Sequence, residues 1–312
     1  ALAAAALLGL IQLGLAAREP RRVGAGAVLL AVAVLAAATP LLRPPAPTVT
    51  IGAKNFSEQY ILARLIGLQL ERAGYRVRYR EGLGSAVALR ALTGGEIDVY
   101  VEYAGTLWTG PMHETRSVPR AAMLRGIGRW LKDGPGGRLV GPLGFENAYA
   151  LAVRRDARIA TIGALADRAG AMTLGADLEF LDRPEWRALR AAYGLRFGAT
   201  RAYSPTFMYR ALASGQVDVI SAFSSDGRIA ADKLVVLRDP RGAIPRYDAI
   251  LLASPAHARD GRFIHALGPL VDAIPVDAMR RANLMVDRDA DKASPDAAAR
   301  WLDRAIRSRS AR

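Results

Sequence analysis

The chain has 312 residues (33.3 kDa), 51% of them hydrophobic and 23% charged, which is enough for two or three compact units and excludes wholesale disorder. Cysteine is absent, which excludes disulfides, thiolate metal sites and a cysteine nucleophile together, and the three histidines, His113, His257 and His265, form no metal-ligand spacing. The net charge of +14 comes from 39 arginines and four lysines, but the arginines are scattered among acidic residues rather than set on a stripe with aromatics, which argues against a nucleic-acid partner.

The first 47 residues differ from the rest. Residues 1–17 carry no charge, a short basic segment follows (Arg18-Glu19-Pro20-Arg21-Arg22), and a second uncharged run covers Val23 to Leu42. Twenty apolar residues match a hydrocarbon core of roughly 30 Å, so two membrane segments and a linker are expected over 1–47. The basic segment would face the cytoplasm, which puts residues 48–312 on the outer side. The competing reading is a signal peptide, with Arg21-Arg22 as its basic region and Ala36-Ala37-Ala38-Thr39 as its cleavage site. Both readings export residues 48–312.

Beyond Pro47, strands and helices alternate. Residues 48–52 are β-branched and read as a strand. Ile61, Leu62, Leu65, Ile66 and Leu70 recur at helical spacing and stop near Gly74. Tyr75, Val77 and Tyr79 alternate with arginines, 86–92 reads as a helix broken by Gly94-Gly95, and 97–101 reads as a strand. A helix over 121–131 and a strand over 148–154 follow, then strand–helix units to 234–237 and 249–252, and a mostly helical end from His257. This alternation predicts an α/β fold with mainly parallel sheet.

An internal echo crosses this pattern. Residues 90–103 (RALTGGEIDVYVEY) and 210–223 (RALASGQVDVISAF) share Arg, Ala, Leu, Gly, Asp and Val at the same offsets, 120 residues apart. Each ends a strand on an aromatic, Tyr103 or Phe223. Ligands of open α/β sheets sit beyond the carboxyl ends of strands, so two such units suggest two lobes facing one cleft. Tyr149 and Tyr247 also fall at strand ends, and four ring faces around one point would bind a quaternary ammonium group by cation–π attraction. No phosphate-binding loop, H-E-x-x-H or G-x-S-x-G occurs, and no acid–base pair stands out, so neither an enzyme nor a cofactor is expected.

In order, the chain contains AKNFSEQYILARLIG (53–67), GEIDVYVEYAGTLWT (95–109), GFENAYALAVRR (144–155), EFLDRPEW (179–186), FSSDGRIA (223–230) and PRYDAILL (245–252). Over residues 48 to about 310 it resembles the substrate-binding component of the osmoprotectant ABC importers, the glycine betaine/choline/carnitine binding proteins. The resemblance implies a two-lobed periplasmic-binding-protein (type II) fold with a hinge, preceded here by the N-terminal transmembrane segments. Lobe 1 would span 48–147 and 250–312, and lobe 2 would span 148–249. It implies a cation cage of Tyr103, Tyr149, Phe223 and Tyr247. It also implies that Lys54, Thr106 and Arg183 hold the carboxylate of a betaine, with Gln59 as a further polar candidate. Ser221-Ala222-Phe223 departs from the family's usual D-A-Y, keeping the ring face and losing its hydroxyl, so the solute stays open between betaine, choline, carnitine and ergothioneine. The implied partners are an ABC permease, possibly fused to this chain, and cytoplasmic ATPase subunits, at the inner membrane. The alternative is a membrane-tethered ligand sensor.

Overall fold

The computed structural model describes residues 12, 13, 16, 20–38 and 46–310, apart from 115, 117, 204 and 289. The chain divides into two compact units, Ala1–Pro47 and Thr48–Arg312.

In the first unit a 19-residue helix runs from Pro20 to Ala38. Arg21 and Arg22 precede its uncharged residues, 23–38. Among the described residues, no helix is long and apolar enough to cross a membrane. The two expected spans are therefore not seen. The first, over 1–17, lies almost wholly outside the described residues, as do residues 39–42 of the second.

The second unit holds ten strands, β1 (Thr48–Lys54), β2 (Arg76–Leu83), β3 (Val99–Tyr103), β4 (Arg138–Glu146), β5 (Tyr149–Val153), β6 (Thr173–Ala176), β7 (Ala199–Ala202), β8 (Val219–Phe223), β9 (Val235–Val236) and β10 (Asp248–Ala253). They form two five-stranded sheets, ordered β2-β1-β3-β10-β4 and β7-β6-β8-β5-β9. In each, three neighbouring strands are parallel and the fourth, β10 or β5, runs against them. The two-lobed α/β architecture follows, with mixed rather than purely parallel sheets. The chain passes between the sheets at Asn147–Ala148 and again before Asp248, where β10 joins the first sheet.

The echoed segments occupy the central strands β3 and β8. Their shared aspartate does the same work in each lobe. The Asp98 carboxylate accepts the backbone N–H of Thr50 at 2.7 Å, and the Asp218 carboxylate accepts that of Thr173 at 2.8 Å. Each ties the start of a central strand to its parallel neighbour, satisfying a backbone donor that the ladder leaves over.

Alternation along the strands divides the cores. In β10, Ala249, Leu251 and Ala253 face one side with Ile61, Leu62 and Leu65 of the helix Ser57–Arg72, while Ile250 and Leu252 face the other with Met123, Ile127 and Leu131 of the helix Arg120–Asp133. In the second sheet Tyr149, Leu151 and Val153 face Leu165 and Leu189, and Ala152 faces Met208 and Leu212. Both sheets are thus covered on both faces, and each fully buried aliphatic side chain contributes about 1.5–3 kcal/mol.

Candidate ligand-binding cleft

A cavity of about 1320 Å³ is lined from both sheets and from the crossover that joins them. From the first lobe come Lys54 at the end of β1, Tyr103 at the end of β3, and Thr106 in the first turn of the following helix, Ala104–Thr109. From the second come Tyr149 at the start of β5, Phe223 at the end of β8, and Arg183, the residue that starts the helix Pro184–Tyr193. Tyr247, just before β10, belongs to the crossover. Seven of the eight residues singled out in the sequence thus line one cavity. The eighth, Gln59, stands behind the wall, only 1% exposed.

Pairing register places the second-lobe rings. Tyr149 lies directly opposite Phe223 across the antiparallel β5–β8 ladder, which brings their centroids to 4.7 Å at a tilt of 37°. Phe180 backs Tyr149 at 5.2 Å. The Arg183 guanidinium lies 5.1 Å from the Tyr149 ring and its Nε is 3.4 Å from Glu185.

In the first lobe, polar contacts hold the rings. The Tyr103 hydroxyl donates to Glu58 at 2.6 Å and accepts from Gln59 Nε2 at 3.1 Å. Gln59 Oε1 in turn accepts the backbone N–H of Lys54 at 3.4 Å. The Lys54 ammonium contacts the Glu102 carboxylate, lies 3.4 Å from the Ser85 hydroxyl, and stands 4.5 Å from the Tyr103 centroid. Both members of the Lys54–Glu102 pair are buried, so most of the lysine's charge is matched inside the protein. The Tyr247 hydroxyl donates to Glu185, which links the crossover to the second lobe. The Tyr247 ring lies so close to Gly105 that a Cβ there would come within 2.7 Å of it.

Several residues of this cleft were not singled out in the sequence, among them Phe56, Glu58 and Asn283. Phe56, 38% exposed, stacks on Tyr103 at 6.2 Å and 24° and adds a further ring to the wall. Glu58 is buried and also accepts from Asn147 at 3.1 Å and from Asn283 at 2.8 Å. Burial pushes its carboxyl above the usual range, against hydrogen bonds from Ser225, Tyr103, Asn283 and Asn147. Burial also lifts the Tyr103 phenol well above its ordinary value, and the Glu58 charge adds to that. Glu58 precedes Ile61 and Leu62 by three and four positions, so helical periodicity already placed it on the buried face. Asn283, 225 residues further on, carried no such signal.

Residues 47–304 match the family described as the substrate binding domain of ABC-type glycine betaine transport systems. The chain belongs to that family. It is 29% identical over 259 residues to a glycine-betaine-binding protein of Pseudomonas aeruginosa, covering 78% of this chain and 83% of that one. It is 30% identical over 208 residues to an ergothioneine transport permease/ergothioneine binding protein of Helicobacter pylori, covering 64% of this chain and 37% of that much longer protein. A solved structure described as a glycine betaine/carnitine/choline ABC transporter superposes with a TM-score of 0.76 at 26% identity, covering 81% of this chain and 96% of that one. Lactococcal OpuAC, closed on glycine betaine, shares the fold at a TM-score of 0.56 and 16% identity. Members of this family are solute-binding components of importers.

Proposed function

We propose that residues 48–312 capture a quaternary-ammonium solute of the glycine betaine, choline or carnitine type outside the cytoplasm and present it to an ABC permease, fused or separate, driven by cytoplasmic ATPase subunits. In this reading the residues before Thr48 tether the binding unit to the inner membrane. Tyr103, Tyr149, Phe223 and Tyr247 surround the cation. Thr106 and Arg183 meet a carboxylate, while Lys54, paired with Glu102, holds that wall of the cleft in place. The observation that carries the reading is that aromatic side chains from both lobes and the crossover open on one cavity that also holds a hydroxyl and a guanidinium. Each cation–π contact is worth about 0.5–2 kcal/mol, and exclusion of water on closure strengthens all of them. A guanidinium and a hydroxyl suit a carboxylate through charge-assisted hydrogen bonds.

Isothermal titration of residues 48–312 with glycine betaine, choline, carnitine and ergothioneine tests the proposal. Saturable 1:1 binding is expected for at least one of the first three. Ergothioneine belongs in the panel because the Helicobacter relative is named for it and Phe223 stands where the resemblance to the family implies tyrosine. Tyr103→Ala and Tyr149→Ala should each weaken binding at least about tenfold, the loss of one or two ring contacts. Binding unchanged in both, on folded protein, would remove the cage.

A further inference from the structure

The rings of the cleft do not stand alone, and two of them donate to buried acids from opposite lobes. The Tyr103 hydroxyl donates to Glu58, and the Tyr247 hydroxyl donates to Glu185. Both carboxylates are buried, each 3% exposed, and they come from different lobes. A third acid, Glu102, is fully buried but is matched by the Lys54 ammonium, and its link to Tyr103 runs to the backbone N–H rather than to the ring. Phe223 has no hydroxyl to give.

A phenol that donates to a carboxylate makes a charge-assisted hydrogen bond, which fixes the ring plane and shifts electron density from the O–H bond into the ring. Cation–π attraction draws on the negative face of the ring, so a ring enriched in this way holds a cation more tightly. Burial raises both phenols above their ordinary range, so the protons stay on the oxygens and the bonds remain donor to carboxylate. Glu58 is held in turn by Asn147 and Asn283, and Glu185 by Arg183, so neither acid is free to turn away.

We infer that Glu58 and Glu185 are positioning residues for cation recognition, one behind each hydroxyl-bearing ring of Tyr103 and Tyr247, acting on the solute through the phenol rather than by touching it. The inference rests on the quaternary-ammonium reading above. It makes cleft affinity depend on two acids outside the set of aromatic and cationic residues that surround the solute, and it leaves Phe223 as the ring that no carboxylate can tune.

Double-mutant cycles on the 312-residue chain test it, with choline as the probe because choline has no carboxylate for Arg183 to hold. Glu58→Gln, Glu185→Gln, Tyr103→Phe and Tyr247→Phe should each lower choline affinity by about three- to tenfold, less than a whole charge-assisted hydrogen bond because the ring itself stays in place. Within each pair the double variant should bind within about twofold of the Tyr→Phe single, because the acid has nothing left to act through. Across pairs, Tyr103→Phe with Glu185→Gln should show the product of the two losses. Difference ultraviolet resonance Raman spectra should show the tyrosine Fermi doublet moving away from the strong-donor pattern in each Glu→Gln variant, a change that looser packing alone does not produce. Losses that multiply within a pair, or Glu→Gln variants that bind like the parent, overturn the inference. Absence of choline, betaine or carnitine binding in the parent chain overturns the cage reading and takes this inference with it. Glu58 has several partners, and if Glu58→Gln does not fold, the Glu185–Tyr247 cycle decides alone.

Discussion

Lys54 shows how one residue's role changes once its neighbours are known. As one of four lysines, following a strand in a K-N-F motif, it reads as a cation aimed at a ligand carboxylate. In the structure its ammonium contacts Glu102, which is fully buried. Lys54→Ala should therefore leave an uncompensated buried carboxylate and cost about 3–5 kcal/mol of stability, measurable by urea unfolding. Betaine and choline affinities should fall together. A loss confined to betaine would instead put the ammonium on the ligand. Gly105 offers a second test at this scale. A methyl group there would meet the Tyr247 ring at 2.7 Å, so Gly105→Ala should displace that ring and weaken binding about tenfold, with the far-ultraviolet circular dichroism unchanged. Lys54, Thr106, Arg183 and the four rings were legible because they sit in motifs or at strand ends. Glu102 behind Lys54, Glu185 behind Tyr247 and Asn283 behind Glu58 were not, because a hydrogen bond across 48, 62 or 225 residues leaves no local pattern.

At the scale of elements, two helix contacts carry weight. The helix Pro295–Ser310 packs on the helix Ser57–Arg72 through Leu302, Ala298 and Ile306, and Asp303 ties the two by accepting from Arg72 at 2.5 and 2.8 Å and from Gln69 at 2.9 Å. These bonds hold the Asp303 carboxyl below its ordinary value of 3.8. A carboxyl lowered in the folded state contributes stability that is fully present above the unfolded value and is lost as pH falls through the folded one. Acid unfolding of the parent should therefore steepen below about pH 4, and Asp303→Asn should flatten that part of the curve while lowering stability near neutral pH by about 1–3 kcal/mol. The second contact joins the lobes. The helix Gly227–Ala231 meets the helix Val276–Asp287 so closely that a Cβ on Gly227 would lie 2.4 Å from the backbone nitrogen of Leu284. Arg280 donates to the carbonyl of Ser224 and Asn283 to that of Ser225, each at 2.8 Å. Most of these elements were visible in sequence as periodic segments. Their docking partners were not, because a helix's apolar face does not say which other face covers it.

For the whole molecule, the binding unit is two sheets with separate cores, joined by two chain crossings and by the helix contact at Gly227. A ligand held by residues of both lobes binds only the assembled cleft, so it stabilises the fold by mass action, about 2.7 kcal/mol at a hundredfold excess over Kd. In a unit of this size that is a rise of about 5–10 °C in Tm, readable by thermal shift with each solute in the panel. Tyr103→Ala should lose most of that rise when each Tm is compared with the variant's own ligand-free Tm, which removal of a buried ring lowers. A Tm that no solute moves would argue against capture between the lobes.

The sequence by itself determined the strand–helix alternation, the echo over 90–103 and 210–223 and the aromatics at strand ends, because periodicity, turn glycines and strand polarity are local properties. The echo proved to mark equivalent central strands, each bracketed by its own aspartate. Only the tertiary structure decided that the sheets are mixed, that Lys54 is matched by Glu102, and that Glu58 and Glu185 stand behind two of the rings. Strand direction and the partner of a buried charge are set by what the rest of the chain brings alongside.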